Sequence, residues 1–191
     1  MDITSDASDL TGKMLIAMPA MGDSRFDHAV IYVCAHSDEG AMGLIVNKPS
    51  EDVTMAALLE QLSMEPAPGL ELRQVHFGGP VEMGRGFVLH SPDYKSGLTT
   101  LEVDDSFYMT GTLDVLEGIA KEDGPRHWMA MLGYAGWGPG QLESELAQNA
   151  WLVCDASPEL VFGTADPSKW EAALNSMGIP AHLLSAEGGT A

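Results

Sequence analysis

Between His127 and Trp151 the chain reads HWMAMLGYAGWGPGQLESELAQNAW, and this stretch restricts the fold more than any other. Trp128, Met129, Met131 and Leu132 form the short apolar run of a strand covered on both faces. Gly133, Gly136, Gly138 and Gly140 then fall within eight residues, with Tyr134 and Trp137 between them. Glycine reaches positive φ and lets two backbones touch, so this density predicts a tightly folded corner. Gly138 is expected as the N-cap of the following helix and Pro139 as its first residue, where a missing N–H is harmless. Leu142 and Leu146, four apart, give that helix its apolar face. Trp151–Cys154 reads as the next strand.

A strand, a glycine-rich turn and a helix start together suggest an anion site, because free backbone N–H groups point outward there. The details argue against phosphate. A phosphate-cradling loop needs Lys and Ser or Thr after its last glycine, whereas Gln141 and Leu142 follow Gly140. The dinucleotide fingerprint fails at Gln141 as well, and Glu143 adds negative charge to the first turn. Two readings remain open: a corner that packs Tyr134 and Trp137, or a ligand site built on it.

Charge narrows the partners. The nine basic residues are scattered singly among 28 acids, for a net charge of −19. No basic stripe exists to neutralise phosphates, so direct nucleic-acid binding is disfavoured, as is an anionic membrane surface. No apolar run approaches the roughly 20 residues of a membrane span. The acidic, polar MDITSDASDL start is unlike a signal peptide. Cys34 and Cys154 alone make no disulfide framework. A cytoplasmic setting is expected, and a monomer.

The rest of the chain alternates strand and helix patterns. Residues 1–10 and 185–191 read as disordered or flexible tails around one domain over 11–184. Met14–Met18 is expected as a strand and Met21–Asp27 as a loop. His28–His36 should be a central strand, joined through a four-residue turn at 37–40 to its hairpin partner Ala41–Asn47. Met55, Leu58, Leu59 and Leu62 mark a helix over Thr54–Leu62. Gln74–Phe77 and Gly86–His90 read as strands around a second glycine cluster, Gly78, Gly79, Gly84 and Gly86. Leu98–Val103 fits an edge strand and Phe107–Met109 a brief one. Thr112 is expected to cap a helix over Leu113–Ala120. A short helix should start at Ser157 and end at Gly163. A longer one from Asp166 should present Trp170, Ala173, Leu174 and Met177 and stop at Gly178 and Pro180. Hairpins early and strand–helix units late point to an α+β domain, a mixed and mostly antiparallel sheet with helices packed against it.

Few residues suggest chemistry. Cys34 and His36 lie two apart on one strand and are expected on one face, with Cα atoms about 6.6 Å apart. That geometry opens a thiol-dependent enzyme or redox sensor, against the alternative of a buried small residue. The six histidines are dispersed without metal-ligand spacing, so no metal is expected. Arg85, flanked by Gly84 and Gly86, could grip a carboxylate or phosphate, or could simply pair with an acid. His76 and His90 lie on the strands beside it.

Four segments together, LIAMPAM at 15–21, YVCAHSDEGAMGLIVNKP at 32–49, HFGGPVEMGRGFVLH at 76–90 and LGYAGWGPGQLESELAQNAWL at 132–152, resemble the AlgH/YqgE family of bacterial proteins. The resemblance implies a single domain whose sheet curls into a partial barrel with helices outside. It implies a regulatory role by the family's traditional label of transcriptional regulator, and it brings no catalytic residue with it. Shared motif positions include Cys34, His36, Asn47, Arg85, His90, Tyr134 and Trp137. The expectation is a regulatory or binding module for a small molecule or a protein, without a cofactor. Its surface would use Arg85, Tyr134 and Trp137, with Asn47 and His90 as further candidates. A thiol activity at Cys34 and His36 and direct DNA regulation are the alternatives.

Overall fold

The computed structural model describes residues 9–19, 23–96, 100–111 and 114–184. In chain order its strands are β1 (Lys13–Ala17), β2 (Val30–Ser37), β3 (Gly40–Ile45), β4 (Val75–Phe77), β5 (Val81–His90), β6 (Thr100–Glu102), β7 (Tyr108–Thr110), β8 (Trp128–Trp137) and β9 (Trp151–Asp155). The helices are α1 (Met55–Gln61), α2 (Asp114–Ala120), α3 (Gln141–Ala147), α4 (Pro158–Phe162) and α5 (Asp166–Ser176). The expected loop at 21–27 holds a 3-10 turn, Ser24–Phe26. The two tails and the Thr112 cap lie outside the described residues, apart from Asp9 and Leu10.

Among the described residues all nine strands join one sheet, in the order β6-β7-β5-β8-β3-β2-β1-β9, with β4 paired to β8 off that path. The β4–β8 ladder is parallel and the other ladders are antiparallel. The sheet curls into a half-barrel, and the chain is a single α+β domain. Strand β2 is apolar on both faces because both are covered. Val30, Tyr32 and Cys34 pack with α4 and α5 through Leu160, Val161, Trp170, Ala173 and Leu174. Ile31 and Val33 pack on the opposite face with Leu142 of α3. Farther along, α1 and α2 cover the sheet with Met55, Leu59, Val115, Leu116 and Ile119. Each such buried aliphatic side chain contributes about 1.5–3 kcal/mol. Local signals set the helix starts: Thr54 Oγ1 accepts from Ala57 N, and Ser157 Oγ accepts from Leu160 N.

The glycine-rich stretch departs from expectation. It is no corner: β8 continues through Gly133 and Gly136 as one ten-residue strand. Gly133 has φ +76, and there the alternation of the strand changes phase. Trp128 and Ala130 pack with the α1–α2 cluster; beyond Gly133, Ala135 and Trp137 pack with the α3 cluster. A left-handed glycine thus keeps one face of β8 facing one side while the strand bends. The helix start also moves. Gly140, not Gly138, is the N-cap, and Gln141 Oε1 accepts from Gly138 N across the turn.

The two glycine clusters are the two sides of one contact. A Cβ placed on Gly79 would stand 2.1 Å from the Tyr134 carbonyl carbon, and one on Gly133 would stand 2.2 Å from Gly79 O. One on Gly78 would meet Gly133 O at 2.3 Å. Backbone lies on backbone, and only glycine leaves the room.

Candidate functional site

This contact positions Arg85. Val81 pairs with Tyr134 and Gly86 with Leu132, so β5 takes five residue steps where β8 takes two. Residues 82–85, four opposite the single Gly133, bulge away from the ladder, and Glu82 sits at φ +47. Bulges and positive φ at a bulky residue concentrate where a sheet presents side chains to a partner. Arg85 projects from the bulge with its guanidinium 5.1 Å from the Phe87 ring centroid. Its acidic neighbour is distant: Glu82 Oε2 lies 4.0 Å from Arg85 Nη1. That same carboxylate accepts from Tyr134 Oη at 3.1 Å.

Arg85, Tyr134 and Trp137 line one hollow of about 660 Å³, walled also by His36, Met42 and Phe87. Two of the three are accessible, Arg85 at 56% and Tyr134 half-buried. Trp137, expected on the binding surface, is 8% exposed. Its indole N–H donates to Glu145 Oε1 at 3.0 Å, and the Trp151 indole donates to the same oxygen at 2.9 Å. Trp137 is therefore a fixed wall. Beyond Val81, Gly136 and Trp137 lies a second hollow of about 520 Å³, lined by Arg25, Gln141, Glu145 and Trp151. Arg25 is tied to Asp23 there through Nε and Nη2.

The other expected binding residues have structural partners. Asn47 Oδ1 accepts from Val30 N and its amide donates to His28 O, holding the end of the β2–β3 hairpin. His90 is fully buried, with Nδ1 on Ser91 O and Nε2 on Thr110 Oγ1. Burial lowers its pKa. Neither residue lines the hollow around Arg85.

The pairing of Cys34 with His36 is corrected by a bulge. Val33 pairs with Gly43 but Ala35 pairs with Met42, so β2 carries one extra residue at Cys34. Past it the alternation reverses. Cys34 packs with Tyr32 and Met42 on one face. His36 pairs with Ala41, which packs with Trp137 on the other. The His36 ring is used elsewhere: Nδ1 accepts from Leu10 N and Nε2 donates to Glu143 Oε2 at 3.0 Å. Burial pushes the Cys34 thiol up to about 12, and the Cys154 thiol up to about 11. Neither is a thiolate at neutral pH.

One cluster escaped the sequence reading. Lys169, on the expected α5, is buried and donates to Asp166 Oδ1 at 2.9 Å, while Asp166 Oδ2 accepts from His76 Nε2 at 2.8 Å. His76 and Asp166 lie 90 positions apart, and only the three-residue spacing of Asp166 and Lys169 at the helix start hinted at a pair. Among the described residues no group of three or more His, Cys, Asp or Glu is arranged to hold a metal. No described helix is long and apolar enough to cross a membrane.

Comparison with known proteins gives a consistent result. Residues 14–182 match the family model described as AlgH-like. A UPF0301 protein of Ruegeria pomeroyi is 58% identical over 184 residues, covering 96% of this chain and all of that protein. One from Cereibacter sphaeroides is 52% identical over 183 residues, with 96% and 100% coverage. The solution structure of the AlgH protein from Pseudomonas aeruginosa is 41% identical and superposes with a TM-score of 0.79, over 96% of this chain and 97% of that one. A crystal structure of a protein from Corynebacterium diphtheriae, 20% identical, shares the fold with a TM-score of 0.67 over 91% and 92% of the two chains.

Proposed function

This chain belongs to the AlgH-like family, and from that premise we propose that it is a binding module of regulatory type. It holds a small molecule, or an exposed segment of a partner protein, in the hollow around Arg85, Tyr134 and Trp137. The observation that carries this reading is convergence. Residues from two glycine-rich segments some fifty positions apart meet at one cavity of about 660 Å³, and the cation among them is only loosely paired, at 4.0 Å. A weakly paired guanidinium beside aromatic walls suits a ligand with an anionic group and a flat apolar body.

Charge supports this over contact with DNA. Lys13, Arg25, Lys95 and Lys169 each sit on an acid, and a net charge of −19 opposes approach to the phosphates of a duplex. Burial of Cys34 weighs against a thiol-dependent activity.

The test is a thermal-shift screen of aromatic acids and short peptides on wild type, Arg85→Gln and Tyr134→Phe. Circular dichroism confirms that each variant folds. Ligands that stabilise wild type by several degrees should lose that effect in Arg85→Gln and keep part of it in Tyr134→Phe. Equal stabilisation of all three proteins by every ligand found would rule the hollow out as the binding site.

A further inference from the structure

The buried cluster of His76, Asp166 and Lys169 has a loose end. Lys169 Nζ is satisfied by Asp166 Oδ1 and by Val46 O at 2.7 Å. Asp166 is satisfied by Lys169 and His76. Its carboxylate only accepts, so His76 Nε2 carries the hydrogen of that bond. The other ring nitrogen, Nδ1, is buried and has no hydrogen-bond partner among the described residues. A buried polar atom left unpaired is uncommon and marks a place where another group belongs.

The cluster adjoins a cavity, to which Nδ1 itself shows almost no surface. His76, Asp166 and Lys169 line a cavity of about 290 Å³ together with Arg73, Trp128 and Phe162. Arg73 lies over the Trp128 ring at 4.0 Å and donates one Nη2 hydrogen to Trp128 O at 3.1 Å. The bond to Trp128 occupies one of its five N–H groups. The cavity also reaches the start of α5, whose N-cap, Ala165, makes no side-chain cap. The dipole of this 11-residue helix favours negative charge at that end.

We infer that this cavity is a second binding site, separate from the hollow around Arg85, and that it takes a small organic monocarboxylate. The carboxylate bonds to Arg73 and, once the His76 ring turns to bring Nδ1 to the cavity wall, to its Nδ1–H, and an apolar body lies against Trp128 and Phe162. Charge selects the class. Asp166 cancels Lys169, and its carboxylate stands in the cavity wall, where it would repel the second charge of a dianion. The charged groups around His76 are Asp166 and Lys169 from α5 and Arg73 from the turn before β4; β8 brings Trp128, Met129 and Met131, which are uncharged. Because a carboxylate cannot donate, binding takes up a proton at Nδ1.

The experiment is NMR of the whole chain carrying 15N-histidine, titrated with benzoate and, separately, with inorganic phosphate. Benzoate should saturate, and it should move the His76 Nδ1 signal from that of a bare ring nitrogen to that of an N–H. Arg73→Gln should weaken binding at least tenfold, and Arg85→Gln should leave it unchanged. No saturable change at Nδ1, equal affinity in Arg73→Gln, or phosphate bound more tightly than benzoate would overturn the assignment. A loss in Arg85→Gln as large as that in Arg73→Gln would overturn the separateness of the two sites.

Discussion

One methyl group tests the contact between the two glycine clusters. Gly133→Ala puts a Cβ 2.2 Å from Gly79 O at φ +76, which adds left-handed strain to a backbone clash. The expected loss is about 3 kcal/mol in urea unfolding. Gly140 has nearly the same φ but nothing within 4 Å of its Cβ position, so Gly140→Ala should cost only about 1 kcal/mol. Equal losses would mean that the close approach is not what requires glycine. Composition made this density of glycine legible; the partner of each glycine was not, because contacts across fifty positions leave no local mark. The same limit hid His76 and Asp166. Cys34 makes a second residue-scale prediction. Its thiol is raised by burial to about 12, so native protein at pH 7 should resist alkylation and react only as it unfolds. Alkylation faster than that of a free thiol would restore Cys34 as a nucleophile.

Asp166 links residue to stability. Burial alone would raise its carboxyl, but the hydrogen bonds from His76 and Lys169 outweigh that, and the pKa is lowered from 3.8. A carboxyl depressed in the folded state contributes stability that is present above its unfolded value and lost as pH falls through its folded one. Wild type should thus weaken in acid as pH falls below about 4. Asp166→Asn should lose that part of the acid dependence. At neutral pH it should already be less stable by about 3–5 kcal/mol, because Lys169 is left buried without its counter-charge. Chemical denaturation at pH 7, 4 and 2 separates the two effects.

At the level of elements, strand positions and helix starts were readable because burial on both faces gives apolar runs and because Thr54 and Ser157 cap the helices they precede. Bulges were not. An extra residue in β2 or three surplus steps in β5 do not disturb a short apolar pattern, yet the first separates Cys34 from His36 and the second projects Arg85. The joint between β8, α3 and β9 is Glu145, whose Oε1 takes both indole N–H groups. Glu145→Ala leaves two inward-facing donors unpaired, and unfolding measurements should show a loss of about 2–4 kcal/mol. Glu145→Gln retains an acceptor oxygen and should lose less than half of that.

For the whole molecule, the proposed recognition rests on shape, because the net charge is −19 and Lys13, Arg25, Lys95 and Lys169 are tied to acids. A half-barrel in which β5 bulges against the bend of β8 at Gly133 provides that shape: a hollow walled by Trp137 and edged by Arg85. Membership of the AlgH-like family agrees with the segments that first suggested it, and the sheet curls as that likeness implied. The most direct test is a pair of NMR titrations of 15N-labelled protein at low salt, one with the ligands that emerge from the thermal-shift screen and one with duplex DNA. The ligands should shift Arg85 Nε, the Tyr134 amide and the Trp137 indole together, while DNA should shift nothing. Saturable DNA binding that weakens steeply with added salt, with those three signals unmoved by any ligand, would contradict recognition through the hollow.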